Sequence, residues 1–216
     1  METGSMIKDY HHSHFREDSR REILWKALWK YYFKYHIQSN DCVLDIGSGY
    51  GNFINNVEAR NRIAIDIWPD FRAHIKPGIQ TIVGNVTDLS QVKDASIDVA
   101  FASNVFEHIA KNDFSEFLLS LKKKLSHRGQ LIILQPNYRY CASEYFDDYT
   151  HISIWSHISL TNFLVANDYI VTQIHPRFLP LTIKSKIPVH PYLIGLYLML
   201  PFKPMGKQML LFAKPK

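Results

Sequence analysis

Short apolar runs of strand length alternate along the chain with segments in which apolar residues recur at helical spacing. This alternation is typical of an α/β domain built on a mostly parallel sheet. We predict strands over 42–46, 62–65, 79–83, 97–102, 130–134, 169–175 and 206–213. We predict helices over 20–37, 52–59, 70–75, 113–125 and 159–167, with Arg128-Gly129 ending the fourth of them.

The first predicted strand ends abruptly in three glycines, Gly47, Gly49 and Gly51, and we call residues 47–51 the glycine loop. Bare backbone at the carboxyl end of a strand lets a ligand approach closely. The spacing G-x-G-x-G differs from the dinucleotide fingerprint G-x-G-x-x-G. Asp45 would repel a pyrophosphate but attract the ammonium group of a methionine-like ligand. The charge therefore favours a cationic cofactor.

Residues 45–51, Asp-Ile-Gly-Ser-Gly-Tyr-Gly, resemble the motif of class I S-adenosylmethionine-dependent methyltransferases. Asp66 closes the second predicted strand nineteen residues after Gly47, where a carboxylate can accept from both ribose hydroxyls of an adenosine. A helix cap before Pro69 is the alternative, and the spacing favours the ribose role. The resemblance covers residues 40–175 and the last strand. It implies a Rossmann-like sheet of seven strands in the order 3-2-1-4-5-7-6, with the last strand antiparallel and helices on both faces.

The resemblance also implies a cofactor, S-adenosyl-L-methionine, which becomes S-adenosyl-L-homocysteine after methyl transfer. The cofactor-binding residues expected from it are Asp45, Gly47, Ser48, Gly49, Asp66, Ile67, Asn85, Val86 and Ser103. Family members often have an acidic residue at the position that matches Asn85, and it accepts from the adenine amine. Asn85 departs from that pattern, although its amide oxygen can accept the same bond. We expect Asp88 to cap the following helix.

The fourth predicted strand leads into Ser103 and His108, at the point of a doubly wound sheet where substrate and cofactor meet. His108 is a candidate acid or base, and a partly buried helix histidine is the alternative. Residues 135–138, Gln-Pro-Asn-Tyr, are similar to the Asn-Pro-Pro-Tyr element of the amino-methyltransferases of DNA bases. That element follows the fourth strand, whereas this one follows the fifth, so base methylation is not our leading interpretation.

Residues 138–157 are dense in aromatic and hydrogen-bonding side chains and follow the fifth predicted strand; we call them the aromatic loop. Such a loop suits an acceptor with many hydroxyls. Its segment Asp-Tyr-Thr-His, residues 148–151, is similar to a segment of the methyltransferases associated with surface-polysaccharide and glycolipid assembly. If the acceptor is a hydroxyl, Asp148 and His151 are the preferred bases. The alternative is that they cap the next helix or brace the loop.

Composition narrows the function only slightly. The hydrophobic content of 46% supports a sizeable core. The formal charge of +5 comes from scattered Lys and Arg, which is not a nucleic-acid signature. Neither Cys42 nor Cys141 has metal or redox spacing, and His11, His12 and His14 lie in a polar arm without partner ligands. We therefore expect no metal, and cytoplasm as the default location.

We divide the chain into an N-terminal arm and helix over 1–38 and a methyltransferase domain over 39–216, with an insertion at 176–205 between the last two strands. Within the insertion, 192–200 is apolar nearly all round and too short to span a bilayer. It suits a peripheral membrane contact, a lid over the acceptor, a dimer contact, or packing under the N-terminal helix. The flanking cations are Lys184, Lys186, Lys203 and Lys207.

Three functions remain open from the sequence. The leading one is O-methylation of a sugar or glycolipid-type small or lipid-linked acceptor, indicated by the aromatic loop. The second keeps the cofactor and changes the acceptor to a carboxylate, an amine or a lipid such as a quinone precursor, which an apolar wall at 192–200 would favour. The third is a non-catalytic module that binds S-adenosylmethionine.

Overall fold

In a computed structural model of the protein, which describes residues 19–181 and 189–216, seven strands form one mixed sheet. The strands are β1 (Cys42–Ile46), β2 (Asn61–Asp66), β3 (Gln80–Val83), β4 (Ile97–Ser103), β5 (Leu125–Pro136), β6 (Tyr169–Leu179) and β7 (Gln208–Pro215). Their spatial order is β3-β2-β1-β4-β5-β7-β6, which confirms the predicted order. The antiparallel last strand is also confirmed, because β7 runs antiparallel to both of its neighbours.

β1 lies at the point where the strand order reverses. It pairs in parallel with β2 on one side and with β4 on the other, so that Asp45 lies opposite Ala64 and Phe101. Parallel strands end at the same edge of a sheet. The segments that follow β1, β2 and β4 therefore meet at that edge.

Two hydrophobic clusters cover the two faces of the sheet. Leu44 and Ile46 of β1 face one cluster, while Val43, just before Leu44, faces the other, as the alternation of a buried strand requires. The helices are α1 (Ser19–Tyr31), α2 (Lys111–Lys124), α3 (Tyr138–Cys141), α4 (His157–Ala166) and α5 (Pro191–Met199). Since α2 and α4 pack on the first cluster and α1 packs on the second, the predicted cover on both faces is confirmed.

The N-terminal helix ends earlier than predicted. After Tyr31 the chain tightens into a 3₁₀ turn at Phe33–Tyr35, which places the fully buried Phe33 in the second cluster. The ring of Phe33 meets Phe53 and Phe101 edge-on, with centroids 5.6 and 5.3 Å away. The aromatic residue at the end of this segment therefore packs on the sheet.

The predicted helix over 52–59 is wrong. The segment contains only a 3₁₀ turn at Ile54–Asn56, and Val57 is extended. The Asn55 side chain donates to the carbonyl of His74, and the Asn56 side chain donates to the carbonyl of Asn52. Such side-chain bonds to the backbone compete with a regular helix.

The predicted end of α2 at Arg128-Gly129 is also wrong, because β5 already begins at Leu125. The last carbonyls of α2, on Lys123 and Lys124, accept from the backbone N–H groups of Ala95 and Ser96. These long-range bonds satisfy the helix end and release the chain into a strand. The other short predicted helix, 70–75, is a 3₁₀ helix at Pro69–His74.

The hairpin of β6 and β7 is longer than predicted, because Leu179 still pairs with Gln208 across two register shifts. The connection therefore runs from 180 to 207. Its helix α5 packs on α1, where a Cβ at Gly195 would lie 3.1 Å from the Tyr31 ring. Packing under the N-terminal helix is thus confirmed. Lys184 and Lys186, like His11, His12 and His14, lie outside the described residues.

No helix within the described residues is both long and apolar enough to cross a bilayer. That finding agrees with the sequence estimate for 192–200, which forms the nine-residue α5.

Replacing Phe33 by Ala is expected to lower the free energy of unfolding by about 3–5 kcal/mol, because the ring is fully buried and the cavity cannot collapse. Tyr35→Ala, three-tenths buried in the same turn, is the matched control and should change it by less than about 1 kcal/mol. Urea denaturation of both variants checks this, and equal losses would contradict the assigned core position.

Candidate functional site

The glycine loop crosses the carboxyl ends of β1 and β2. Gly47, Gly49 and Gly51 have φ angles of 70°, 49° and 67°, a region that side chains other than glycine avoid. The amides of Gly47 and Ser48 donate to the carbonyl of Ile65 at 2.9 and 3.1 Å. A Cβ at Gly47 would stand 2.6 Å from Cγ2 of Val105, so the loop also lies directly against the segment after β4.

Asp45 is buried at the end of β1 and accepts a 2.7 Å hydrogen bond from the Ser48 hydroxyl. Burial raises the pKa of its carboxyl group to about 7, the Ser48 bond opposes this shift, and the nearby charge of Asp66 adds to it. A cation at this position would reverse the shift. The predicted role of Asp45, attraction of an ammonium group, fits these surroundings.

Asp66 lies next to Asp45 and holds the glycine loop. Its Oδ2 accepts from the amide of Gly49 at 2.7 Å, and its Oδ1 accepts from the amide of Trp68 at 2.9 Å. The bond from Trp68 resembles the capping alternative, since Trp68 precedes the 3₁₀ helix Pro69–His74. The ribose role of Asp66 stays a prediction, as does the role of its neighbour Ile67, whose side chain is exposed.

The side chain of Asn85, the predicted adenine contact, already accepts hydrogen bonds from a neighbouring residue. Its amide oxygen accepts from the backbone N–H of Thr87 at 3.0 Å and from the Thr87 hydroxyl at 2.9 Å. One of these bonds must open before adenine can donate to the same oxygen. Val86 beside it packs on the first hydrophobic cluster. The predicted helix cap at Asp88 is wrong, because Asp88 accepts from the amide of Ser90 in a turn and no helix follows within the described segment 89–96.

Four side chains converge beyond Ser103, the last residue of β4, and we call them the histidine–carboxylate cluster. The cluster consists of Glu107, His108, Asp148 and His151. Nε2 of His151 lies 4.0 Å from Oε1 of Glu107 and 3.9 Å from Oδ2 of Asp148. The rings of His108 and His151 meet at a centroid distance of 4.8 Å. The fold thus brings together all three predicted catalytic residues.

Glu107 is the residue that the sequence analysis missed. Its side chain is fully buried, and neither carboxylate oxygen has a hydrogen-bond partner among the described residues. Burial, with a smaller contribution from Asp148, raises the pKa of this carboxyl group to about 8. The signal in the sequence is an acidic residue placed directly between Phe106 and His108, at the strand end nearest the glycine loop.

The two imidazoles have fixed orientations. Nδ1 of His151 lies 2.5 Å from the carbonyl of Tyr145, which can only accept, so this nitrogen carries the proton. Nδ1 of His108 lies 2.8 Å from the Thr150 hydroxyl. Burial, assisted by the nearby His151, lowers the pKa of His108 to about 4. His108 is therefore neutral at neutral pH.

Asp148 both braces the aromatic loop and joins the cluster. Its Oδ1 accepts from the Thr150 amide at 3.0 Å and from the Thr150 hydroxyl at 2.5 Å, whereas its Oδ2 faces His151. The bracing alternative is therefore present together with the geometry that a base requires.

The aromatic loop is docked on the segment after β4. The indole N–H of Trp155 donates to the carbonyl of Phe106 at 3.0 Å, and the amides of Ile152 and Ser153 donate to the carbonyl of Glu107. The hydroxyl of Ser153 donates to the carbonyl of Ile109 at 2.7 Å. These bonds set the cluster beside the strand ends that carry the glycine loop.

A cavity of about 630 Å³ opens beside the end of the glycine loop. Its lining includes Tyr50, Gly51 and the basic residues Arg21, Lys26 and Lys76. Neither Asp45 nor Asp66 lines it, so this cavity differs from the crevice at the strand ends.

Comparison with known proteins agrees with this geometry. Residues 44–133, which include the glycine loop and both strands beside it, match the family model described as a methyltransferase domain. The matched segment is similar to a methyltransferase domain, and the fold around it is that of solved S-adenosylmethionine-dependent methyltransferases. Class I architecture follows from the strand order.

The chain is similar to solved structures of the same fold. A SAM-dependent methyltransferase from Archaeoglobus fulgidus superposes with a TM-score of 0.66 at 21% identity, covering 89% of this chain and 94% of that one. Geranyl diphosphate C-methyltransferase from Streptomyces coelicolor, solved with Mg²⁺, geranyl diphosphate and S-adenosyl-L-homocysteine, gives 0.56 at 13% identity over 83% of this chain and 72% of that one.

A sequence relative of this chain is an uncharacterized protein from Methanocaldococcus jannaschii. The two are 25% identical over 169 residues, which are 78% of this chain and 72% of the relative.

Asp45→Asn is expected to weaken the binding of S-adenosylmethionine and of S-adenosylhomocysteine about tenfold or more, because an amide cannot attract the ammonium group that both carry. Asp41→Asn, just before the opposite end of β1, is the matched control and should leave both affinities unchanged. Calorimetric titration measures them, and an unchanged affinity in Asp45→Asn would remove the proposed ammonium contact.

The same substitution has a pH-dependent effect on stability without cofactor. Burial raises the pKa of Asp45, so the wild type loses stability as pH rises from its unfolded value of about 4 to its folded value of about 7. The stability of Asp45→Asn relative to the wild type should therefore rise over this range and level off above it. Thermal unfolding between pH 4 and 8 measures the difference, and a pH-independent difference would contradict the raised pKa.

Proposed function

We propose that the protein is an S-adenosylmethionine-dependent methyltransferase that methylates a hydroxyl group of a glycan, either a small sugar or a lipid-linked one. The observation that carries this proposal is the docking of the aromatic loop beside the strand ends, which sets Asp148 and His151 in one cluster. The exposed rings of Phe146 and Tyr149 flank this polar group. A surface of aromatic rings and carboxylates fits an acceptor that is rich in hydroxyls.

The chemistry requires little beyond alignment and one proton acceptor. The acceptor oxygen attacks the methyl carbon, the bond from that carbon to sulfur breaks, and the sulfonium becomes the neutral thioether of S-adenosylhomocysteine. The hydroxyl proton passes to Asp148 or His151, our two preferred bases. Alignment of the three reacting atoms supplies roughly 7–11 kcal/mol of barrier lowering.

The acceptor class can be tested with S-adenosylmethionine that carries a labelled methyl group. We expect label to enter short glycans and lipid-linked glycans, and to remain after mild alkali because a methyl ether is stable there. Label that alkali releases as methanol would instead show a carboxylate acceptor. Label that enters only amines or apolar lipids would likewise exclude the glycan proposal.

His151→Ala and Asp148→Asn are each expected to lower turnover about 10²–10⁴-fold, because general-base catalysis contributes that much. Affinity for S-adenosylmethionine should stay unchanged, since neither residue is among the cofactor contacts. Asp147→Asn, the exposed neighbour, is the control and should keep full turnover. Single-turnover kinetics measures the effect, and normal turnover in both variants would remove these residues as bases.

We also propose that α5 rests on an anionic membrane surface, where a lipid-linked acceptor would be found. Its outer face and the residues just after it expose large apolar side chains: Tyr192, Leu193, Leu196, Met199 and Phe202. Lys30 and Lys34 are exposed at the end of α1 and just beyond it, on the segment against which α5 packs. Apolar anchors beside cations are typical of an interfacial helix.

Vesicles of phosphatidylglycerol should therefore sediment the protein more strongly than vesicles of phosphatidylcholine. Met199→Asp is expected to weaken this binding, because a charge replaces the most exposed apolar side chain of the helix. Leu119→Asp, at an exposed position of α2, is the matched control. Equal sedimentation of Met199→Asp and wild type would contradict the membrane role of α5.

A further inference from the structure

The environment of Glu107 is unusual for a carboxylate. The carboxylate is fully buried, and neither oxygen accepts a hydrogen bond from any described residue. Its nearest cationic candidate is His151, whose Nε2 lies 4.0 Å away, beyond hydrogen-bond distance. A buried carboxylate without hydrogen bonds is costly unless another charge compensates it.

The imidazole rings of His108 and His151 lie close to the carboxylate of Glu107. One ligand atom from each of Glu107, His108 and His151 lies within 4.8 Å of the other two. A metal ion bound between them would need only small side-chain movements, because zinc lies about 2.0–2.2 Å from nitrogen and oxygen ligands.

The histidines are oriented in the way that metal ligands usually are. Nδ1 of His151 donates to the carbonyl of Tyr145, which directs Nε2 toward Glu107. Nδ1 of His108 is held by Thr150, whose hydroxyl donates in turn to Asp148. Metal-binding histidines commonly donate their other ring nitrogen to a carbonyl or to a group bound to a carboxylate. The hydrogen bonds that would orient two metal-binding histidines are therefore already present.

We propose that Glu107, His108 and His151 bind a divalent cation of the zinc class. Two imidazoles and one carboxylate form a ligand set that zinc accepts, with a fourth position open. Imidazole favours Zn²⁺, Co²⁺ or Ni²⁺ over Mg²⁺, which prefers oxygen ligands and retains its water. The cation supplies the charge that the buried Glu107 lacks.

This site refines the proposed glycan methylation, on which the following role rests. A hydroxyl of the acceptor would take the open position, where a bound cation makes it more acidic. His151 would then be a ligand, so its lone pair could not take the proton. Asp148, 3.9 Å from His151, is left to receive the hydroxyl proton as the methyl group moves to oxygen.

The test measures cation binding directly and without acceptor. Because His11, His12 and His14 could bind metal on their own, all titrations use the full chain with these three residues changed to Ala. After treatment with EDTA, calorimetry should show one Zn²⁺ per chain, with Mg²⁺ at least ~100-fold weaker. Co²⁺ should give visible absorption of the intensity typical of four-coordinate sites. Failure of Zn²⁺ to bind would overturn the proposal.

Glu107→Gln separates a ligand from a structural residue, since it keeps the shape of the side chain and removes its charge. We expect Zn²⁺ affinity to fall ~100-fold or more, and the rise in Tm that Zn²⁺ produces to disappear. The metal-free variant should unfold at about the same temperature as the metal-free wild type, because the amide keeps the shape of the buried carboxyl group. A Glu107→Gln variant with unchanged Zn²⁺ affinity would overturn the assignment.

Two further measurements keep this inference distinct from the proposed function. His127→Ala, at an exposed histidine after α2, should keep full Zn²⁺ affinity, whereas His151→Ala should lose it. Label transfer is measured with and without Zn²⁺. Zinc binding without glycan methylation would leave the cation site standing and reject the glycan acceptor, while methylation with no zinc binding would do the reverse.

Discussion

The carboxylate of Asp66 ties the end of β2 to the glycine loop that follows β1, and the proposed cofactor site depends on this connection. Its two oxygens accept from the amides of Gly49 and Trp68. The charge of Asp66 adds to burial in raising the pKa of the nearby Asp45. Two buried carboxylates in one crevice are costly without a cation and favourable with one. These charges therefore favour a cation at this position, which the proposed cofactor would supply.

The short segment after β4 supports both the glycine loop and the aromatic loop, to which we assign the acceptor. Val105 packs against Gly47, while the carbonyls of Phe106 and Glu107 accept from the aromatic loop. A shift of this segment would therefore move the glycine loop and the aromatic loop together. Methyl transfer needs the donor sulfur, the methyl carbon and the acceptor oxygen in one line, and a shared rigid support reduces the cost of holding them there.

Local sequence was sufficient where a segment's structure follows from its own residues. The strands could be located because apolar runs bury both faces in a parallel sheet. The predicted helix over 52–59 failed because the Asn55 side chain bonds to the carbonyl of His74 and the Asn56 side chain bonds to the carbonyl of Asn52. The end of α2 was misplaced because its carbonyls are satisfied by Ala95 and Ser96, which no pattern near position 125 reveals.

The sequence by itself determined the sheet, the glycine loop and the two acidic strand ends, because each depends on residues within one strand and the turn after it. Only the tertiary structure decided that Glu107, His108, Asp148 and His151 form one cluster. Some forty residues separate its two halves, and their meeting depends on bonds between the aromatic loop and the segment after β4. Glu107 shows the difference most clearly. Its identity is visible in the sequence, but its chemistry comes from burial, which only the packed fold imposes.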